Sequence, residues 1–404
     1  MREDQATVGI IAFGPVASRS TGYHVRTHHI AEQLGEICKD VFVFELQEPS
    51  ERDQVSENYT TVALNTDTGQ KDEGAGFLEE YLTFDVFEAI TFQLESIAAL
   101  WKIRSKLAEC DIVLVGGALI PAGIIVSKLA GVTTVLDTHC INKRLADGFR
   151  DRNFIAYLLR RVLWDVLERF GTKASDAVIA VSNQEAQFVV NDYGVNSSNV
   201  HVIPNVVELP DLETDTGKLR SLRDRLDLEG KRVATFVGAL GSVQNRDAVQ
   251  FLVEELAPCA SAANHEIVFL VIGEGGTEWN ETPDNVIFTG YVDDLGPYME
   301  LSDVSIAPLR VGAGTKTKVL EYMVYDNPVL TTEKGAESLP IDSLSGVEVV
   351  TQETFTEQLP DFEELFDDYE NGNRAFIAQR YTPQSIEDDL RELLKICGGT
   401  SKLP

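Results

Sequence analysis

At 404 residues, with 44% hydrophobic and 25% charged side chains, the chain has the composition of a well-cored globular protein rather than a disordered one; it is too long for one ordinary core, so two domains of roughly 200 residues are expected. Asp and Glu total 65 against 34 Lys and Arg, a formal net charge of -31, which excludes nucleic acid as the main partner because phosphate binding needs a basic footprint. Spread along the chain instead of gathered in a tail, the excess reads as adaptation to high salt in preference to a polycationic partner.

The first residues, Met-Arg-Glu-Asp-Gln, contain no apolar signal core. Five cysteines (Cys38, Cys110, Cys140, Cys259, Cys397) lie far apart without a Cys-x-x-Cys pair, which argues against a zinc site or a disulfide framework and for a reducing compartment. A cytoplasmic protein is expected. Short β-branched runs then recur at Val8–Phe13, Val41–Leu46, Ile112–Val115, Thr133–Leu136, Ala177–Val181 and Val200–Ile203, and read as buried parallel strands. Helical patterns such as Tyr23–Leu34, Phe154–Phe170 and Asn183–Asn191 separate them, so the order is βα and the fold class is α/β with doubly wound sheets. The stretch Pro49–Ala75 is polar and pattern-poor, a surface excursion.

Residues 1–208 thus form a first Rossmann-like domain and 209–230, polar and holding Pro210, a linker. Strand-like runs resume at Val233–Val237, Ile267–Ile272, Val286–Phe288, Val304–Ala307 and Val329–Thr331, giving a second such domain over 231–381. Residues 382–404 carry an amphipathic helix with Ile386, Leu390, Leu393 and Leu394 on one face.

The sharpest chemical signal is Ala307 to Met323, Ala-Pro-Leu-Arg-Val-Gly-Ala-Gly-Thr-Lys-Thr-Lys-Val-Leu-Glu-Tyr-Met. A strand passes through Gly312 and Gly314 into a helix near Thr315, whose free N–H groups and positive dipole end make a seat for phosphate oxygens. Lys316 and Lys318 add cations, and Glu321, in the helix, can accept hydrogen bonds from vicinal hydroxyls. The competing reading is an ordinary glycine-containing turn with solvated lysines. No P-loop spacing is present, and Gly9–Gly14 offers no Gly-x-Gly-x-x-Gly, which disfavours a plain Rossmann oxidoreductase.

The surroundings of this segment resemble glycosyltransferase family 4, nucleotide-sugar-dependent retaining enzymes of the GT-B fold. The resemblance lies in Phe288-Thr-Gly290 with Asp293, Tyr298, Ser302-Asp303-Val304, Ala307-Pro308-Leu309, Leu320-Glu321, Asn327-Pro328-Val329 and Gly335-Ala336-Glu337. Upstream, Ala180-Val181-Ser182, Val202-Ile203-Pro204-Asn205, Phe236-Val237-Gly238 and Ser20-Thr21-Gly22-Tyr23-His24 match in order. The resemblance implies two Rossmann-like domains facing across a cleft, acceptor on the first and donor on the second, with the last helix crossing back to brace the first. It implies further that Glu321 binds the ribose hydroxyls, that the backbone of Gly314, Thr315, Lys316, Thr317 and Lys318 holds the diphosphate, that Gly22 lies across the cleft near the phosphates, and that His139 sits near the donor sugar or acceptor.

Two departures stand out. The position eight before Glu321, a glutamate in many members, is Ala313 here, and the loop after Gly238 carries Ala239 and Asn245, with Arg246 adjacent, in place of an Arg and a Lys. The diphosphate cations are therefore expected at Lys316 and Lys318, helped by Arg246 and Arg310. No Asp-x-Asp triplet occurs, so neither a metal nor another cofactor is expected. The function implied is transfer of a hexose from a nucleoside-diphosphate sugar to a glycan or lipid-linked acceptor; a sugar-nucleotide epimerase of the same fold and a catalytically silent GT-B subunit stay open.

Residues 143–173 hold eight basic residues (Lys143, Arg144, Arg150, Arg152, Arg160, Arg161, Arg169, Lys173) against four acids, about +4 in a chain of -31, interleaved with large apolar residues. A core-packed helix with basic residues outward accounts for this. The alternative is peripheral contact with anionic lipid at the inner face of a membrane.

Overall fold

The structure is a computed structural model that describes residues 3–16, 22–46, 56–64, 86–117, 120–145, 154–212, 215–263, 266–276, 279, 282–312, 314–366, 369 and 372–399. It contains two all-parallel sheets. The first comprises β1 (Thr7–Ala12), β2 (Asp40–Glu45), β3 (Thr60–Ala63), β4 (Ile112–Gly116), β5 (Thr133–Asp137), β6 (Ala177–Ala180) and β7 (Val200–Val202), ordered β3-β2-β1-β4-β5-β6-β7. The second comprises β8 (Arg232–Val237), β9 (Ile267–Ile272), β10 (Val286–Gly290), β11 (Val304–Ala307), β12 (Val329–Thr332) and β13 (Val347–Val350), ordered β10-β9-β8-β11-β12-β13.

Both orders reverse direction once, between β1 and β4 in the first sheet and between β8 and β11 in the second. Loops leaving neighbouring strands diverge at that point, and a ligand crevice opens at the strands' carboxyl ends. The two expected Rossmann-like domains are thus both present.

Strands form where the sequence can be covered on both faces. In β9 (Ile-Val-Phe-Leu-Val-Ile) all six residues are buried. In the first sheet, Val8, Ile10 and Ala12 enter one core with the Gly22–Ile37 helix, while Ile11 enters the core on the opposite face. That second face is covered by the helices Val86–Lys102, Ile120–Leu129 and Phe154–Ala174. Local signals set the helix ends: Ser182 accepts from the Glu185 N–H to start Asn183–Tyr193, and Gly194, at φ 70°, stops it.

Three expectations change. The 49–75 excursion contains edge strand β3, whose residues are only half covered and so make no apolar run. The 209–230 linker contains a helix, Thr216–Arg225, capped by Asp215 and packed through Leu219 and Leu222 onto the second sheet. It is partly second-domain core. The helix after Gly314 starts at Thr317, two residues later than expected.

The chain crosses between domains twice. After Ile203 it runs into the second domain, and after Tyr381 it returns, placing Ile386, Leu390, Leu393 and Leu394 in the core of the first. Arg391 pairs with Glu3 at 2.9 Å. The two crossings meet where the Val207 N–H donates to the Tyr381 carbonyl at 2.7 Å. No helix among the described residues is long and apolar enough to cross a membrane.

Candidate active site

On the second domain, the loops after β8 and β11 converge. Gly238 ends β8, and a Cβ there would lie 2.7 Å from Asn245 Nδ2 and 3.0 Å from Lys318 Nζ, so only glycine leaves room for both side chains. Asn245 is buried; its Nδ2 donates to the Ala239 carbonyl at 2.8 Å and its Oδ1 accepts from Lys318 Nζ at 2.5 Å. Lys318 also lies 4.2 Å from the centre of the Phe236 ring. The Thr317–Val324 helix is fixed to the sheet by Tyr322, whose hydroxyl accepts from the Val237 N–H. No side chain caps its N-terminus. Thr315, buried just before it, has a hydroxyl without a hydrogen-bond partner in the described structure.

The electrostatics of this corner are set by desolvation. Burial pushes Lys318 down to about 7, with Glu321 opposing, and pushes Lys316 down to about 8, with Glu337 opposing. Burial raises Glu321 above the usual carboxylate range, Lys318 opposing. Lys316, 4% exposed, donates to the Gly314 carbonyl at 3.1 Å. Cations that water does not fully hydrate, beside an uncapped helix start, favour an incoming polyanion.

On the first domain, His139 follows β5 in the left-handed region, at φ 53°. Its ring stacks on Tyr23 with centroids 4.3 Å apart, and its Nε2 lies 3.3 Å from Asp137 Oδ2. Asp137 is buried and bidentate with Arg26, at 2.9 and 3.0 Å. Arg26 Nη1 also donates to the Pro204 carbonyl and to Asn205 Oδ1, each at 3.0 Å. Burial works against the Asp137 charge, but Arg26 and His139 outweigh it and hold the carboxyl below its ordinary range. Burial pushes His139 down to about 4 despite Asp137, with Arg26 adding to the effect, so the imidazole is neutral at pH 7.

The two halves touch at the seat itself. A Cβ on Gly314 (φ 74°) would stand 3.0 Å from Cys140 Cβ and 3.3 Å from the His139 carbonyl. Nearby, Arg144 pairs with Glu337 at 2.5 Å, and the Ser338 hydroxyl donates to Gln184 at 3.3 Å. Beneath Cys140 and Ile141 lie two buried acids, Glu168 and Glu185, each pushed up to about 7 by burial.

Of the residues picked out in the sequence, Gly238, Asn245 and Lys318 are in contact, Gly314, Thr315, Lys316, Thr317 and Glu321 belong to the same segment as Lys318, and Gly314 meets the His139 carbonyl from the other domain. Gly22 opens its helix with exposed backbone and empty space beside its Cα. Arg246 sits on the exposed side of the Val243–Phe251 helix. The Arg310 guanidinium is bidentate on Asp247 and lies 5.3 Å from the centre of the Phe251 ring, so its charge is matched within the protein. Ala313, Ser20 and Thr21 lie outside the described residues. Sequence reasoning missed Arg26, Asp137 and Tyr23, though a charged residue in an otherwise buried helix and an aspartate ending a buried strand are visible signals.

Comparison with known proteins matches residues 22–210 to the Glycosyltransferase Family 4 model and residues 231–361 to the model of Glycosyl transferases group 1. No curated protein matches the chain. Among solved structures, HepE of Anabaena in complex with UDP and glucose is 15% identical with a TM-score of 0.67, covering 97% of this chain and 100% of that one. Sucrose-phosphate synthase of Thermosynechococcus elongatus is 14% identical at a TM-score of 0.73, covering 98% and 100%. WaaG, a glycosyltransferase involved in lipopolysaccharide biosynthesis, is 16% identical at 0.61, again covering 98% and 100%. The architecture is that of the GT-B glycosyltransferases.

Proposed function

We propose that this chain, a glycosyltransferase of the family 4, GT-B type, moves a hexose from a nucleoside-diphosphate sugar to an acceptor hydroxyl in glycan or glycolipid assembly. The reading also takes it to act in the cytoplasm, with retention of anomeric configuration and without a metal. The observation that carries it is the meeting of Gly238, Asn245, Lys318 and the uncapped Thr317 helix start at the second switch point, in a segment whose Gly314 abuts the His139 carbonyl and Cys140 of the first domain. Support comes from HepE of Anabaena, whose structures hold UDP, UDP with glucose, and UDP-glucose.

In this reading the diphosphate rests on the N–H groups from Gly314 to Lys318, and Glu321 receives the ribose hydroxyls. As the bond from the anomeric carbon to the diphosphate oxygen breaks, the acceptor oxygen bonds that carbon from the same face, and its proton passes to the departing phosphate. The charge that develops on the leaving group is offset by Lys318, Lys316 and the helix dipole. Neutral His139, held by Asp137 and Tyr23, hydrogen-bonds the sugar or acceptor without bringing a positive charge.

A thermal-shift panel of UDP, GDP, ADP and TDP sugars in high-salt buffer tests the reading. One donor class should stabilise the protein, and Glu321→Ala should abolish that shift. An unchanged shift in the variant would place the nucleotide elsewhere, and turnover of the donor with no acceptor present would point to an epimerase.

A further inference from the structure

The described residues include fourteen large hydrophobic side chains that are exposed, and ten of them lie on the three helices covering one face of the first sheet. On Phe154–Ala174 the outward row is apolar: Leu159 55%, Val162 54%, Val166 58% and Phe170 42% exposed. Its neighbour, Val86–Lys102, adds Ile90 at 49% and Leu94 at 61%. The expected core-packed helix is present, but its outward row is apolar, with the basic residues beside it. Trp164 and Glu168 face inward, while Arg160 and Arg161 are half-buried on the flanks. A helix apolar on its solvent side as well as on its core side is expected to meet something else.

The cations at the margin indicate what that is. Lys102 and Lys173 are exposed, and Arg104 lies 4.8 Å from the centre of the half-exposed Trp101 ring. In a chain of -31, these cations and the half-buried Arg160 and Arg161 of the Phe154–Ala174 helix lie on the same helices as the apolar row or just beyond their ends. An apolar face rimmed by Lys and Arg, with an aromatic side chain at its border, has the chemistry of a helix lying in a bilayer interface. Pairing two copies through the same face would instead press rim cations against rim cations.

We propose that the Val86–Lys102 and Phe154–Ala174 helices form a docking face for the surface of an anionic lipid bilayer. The face connects directly with the cleft. Glu168, on the buried side of the same helix, accepts from the Asn142 N–H at 2.6 Å, three residues beyond His139. A bilayer seated here holds a membrane-anchored acceptor beside the first-domain half of the site. That last point rests on the glycosyltransferase reading; the docking face itself does not.

The test is flotation of the full chain with vesicles of phosphatidylcholine, alone or with a minority of phosphatidylglycerol, at low and high salt, beside sedimentation without lipid. The chain should float with the anionic vesicles at low salt and hardly at all with the uncharged ones. Val162→Glu/Val166→Glu, and separately Leu94→Glu, should each cut flotation at least about tenfold while leaving the melting temperature and the nucleotide-induced shift in place. If one variant fails to fold, the other reports on the second helix. No flotation of the wild type, or equal flotation of the folded variants, overturns the proposal. So does a lipid-free dimer that these substitutions dissolve, which would give the face to a second copy. Loss of the nucleotide shift with flotation intact would count against the donor reading alone.

Discussion

Lys318 and Asn245, 73 residues apart, share a 2.5 Å hydrogen bond that joins the helices following β8 and β11 at the point where the strand order of the second sheet reverses. The lysine is held by an amide instead of a carboxylate, so its charge is stabilised only weakly and burial brings it down to about 7.

A diphosphate placed beside it should draw a proton onto Lys318. Binding of the matching nucleoside diphosphate at pH 8, above the Lys318 value in the empty site, is therefore expected to take up a proton, seen as a dependence of the calorimetric heat on buffer ionisation enthalpy. Lys318→Met should remove most of this uptake and weaken the nucleotide by roughly 10- to 100-fold, the worth of a hydrogen bond to a charged group. Equal heats in all buffers would place the anion away from Lys318.

Arg26 and Asp137 form a buried pair, so removing one partner is costlier than removing both. Arg26→Met should destabilise the protein by about 3–5 kcal/mol by stranding the Asp137 carboxylate, and Arg26→Met/Asp137→Leu should recover part of that loss. Thermal or denaturant unfolding of the three proteins decides the point. A double variant less stable than the single one would show that the Arg26 bonds to Pro204 and Asn205 matter more than the pair.

Glu185 gives a pH test. It is 1% exposed, accepts a 3.4 Å hydrogen bond from the Ile141 N–H and leaves Oε2 without a partner; burial pushes it up to about 7. With the folded value above the unfolded one, the folded state binds the extra proton between roughly pH 4.5 and 7, and stability contributed by this group falls as pH rises through that window. Glu185→Gln should therefore gain on the wild type as pH increases, at up to about 1.4 kcal/mol per pH unit, and level off above pH 7. A stability difference independent of pH would mean that Glu185 is ionised throughout.

Much of this was legible in the sequence because doubly covered parallel strands leave a local mark: β9 and β4 are unbroken apolar runs. Edge strand β3 leaves none, since only a half-covered strand tolerates Thr-Thr-Val-Ala with its ends exposed. The Thr216–Arg225 helix was hidden by charge, its few leucines lying among arginines and acids. The Gly-rich seat is a contiguous pattern and could be read directly. The Arg26–Asp137 pair spans 111 residues and exists only because β5 and the Gly22–Ile37 helix meet in space, which no local window records. The Arg310–Asp247 pair is hidden for the same reason, its two members lying 63 residues apart.

The Val207–Tyr381 hydrogen bond has a mechanical consequence. Two chain crossings that ran separately would let the domains slide, twist or part. One hydrogen bond ties the two crossings together, so sliding one domain past the other would strain it where a rotation about it need not. Gly314 against Cys140 and Arg144 against Glu337 are contacts that such a rotation would load. On the glycosyltransferase reading, the seat for the anion and the contact between the domains are one piece of structure.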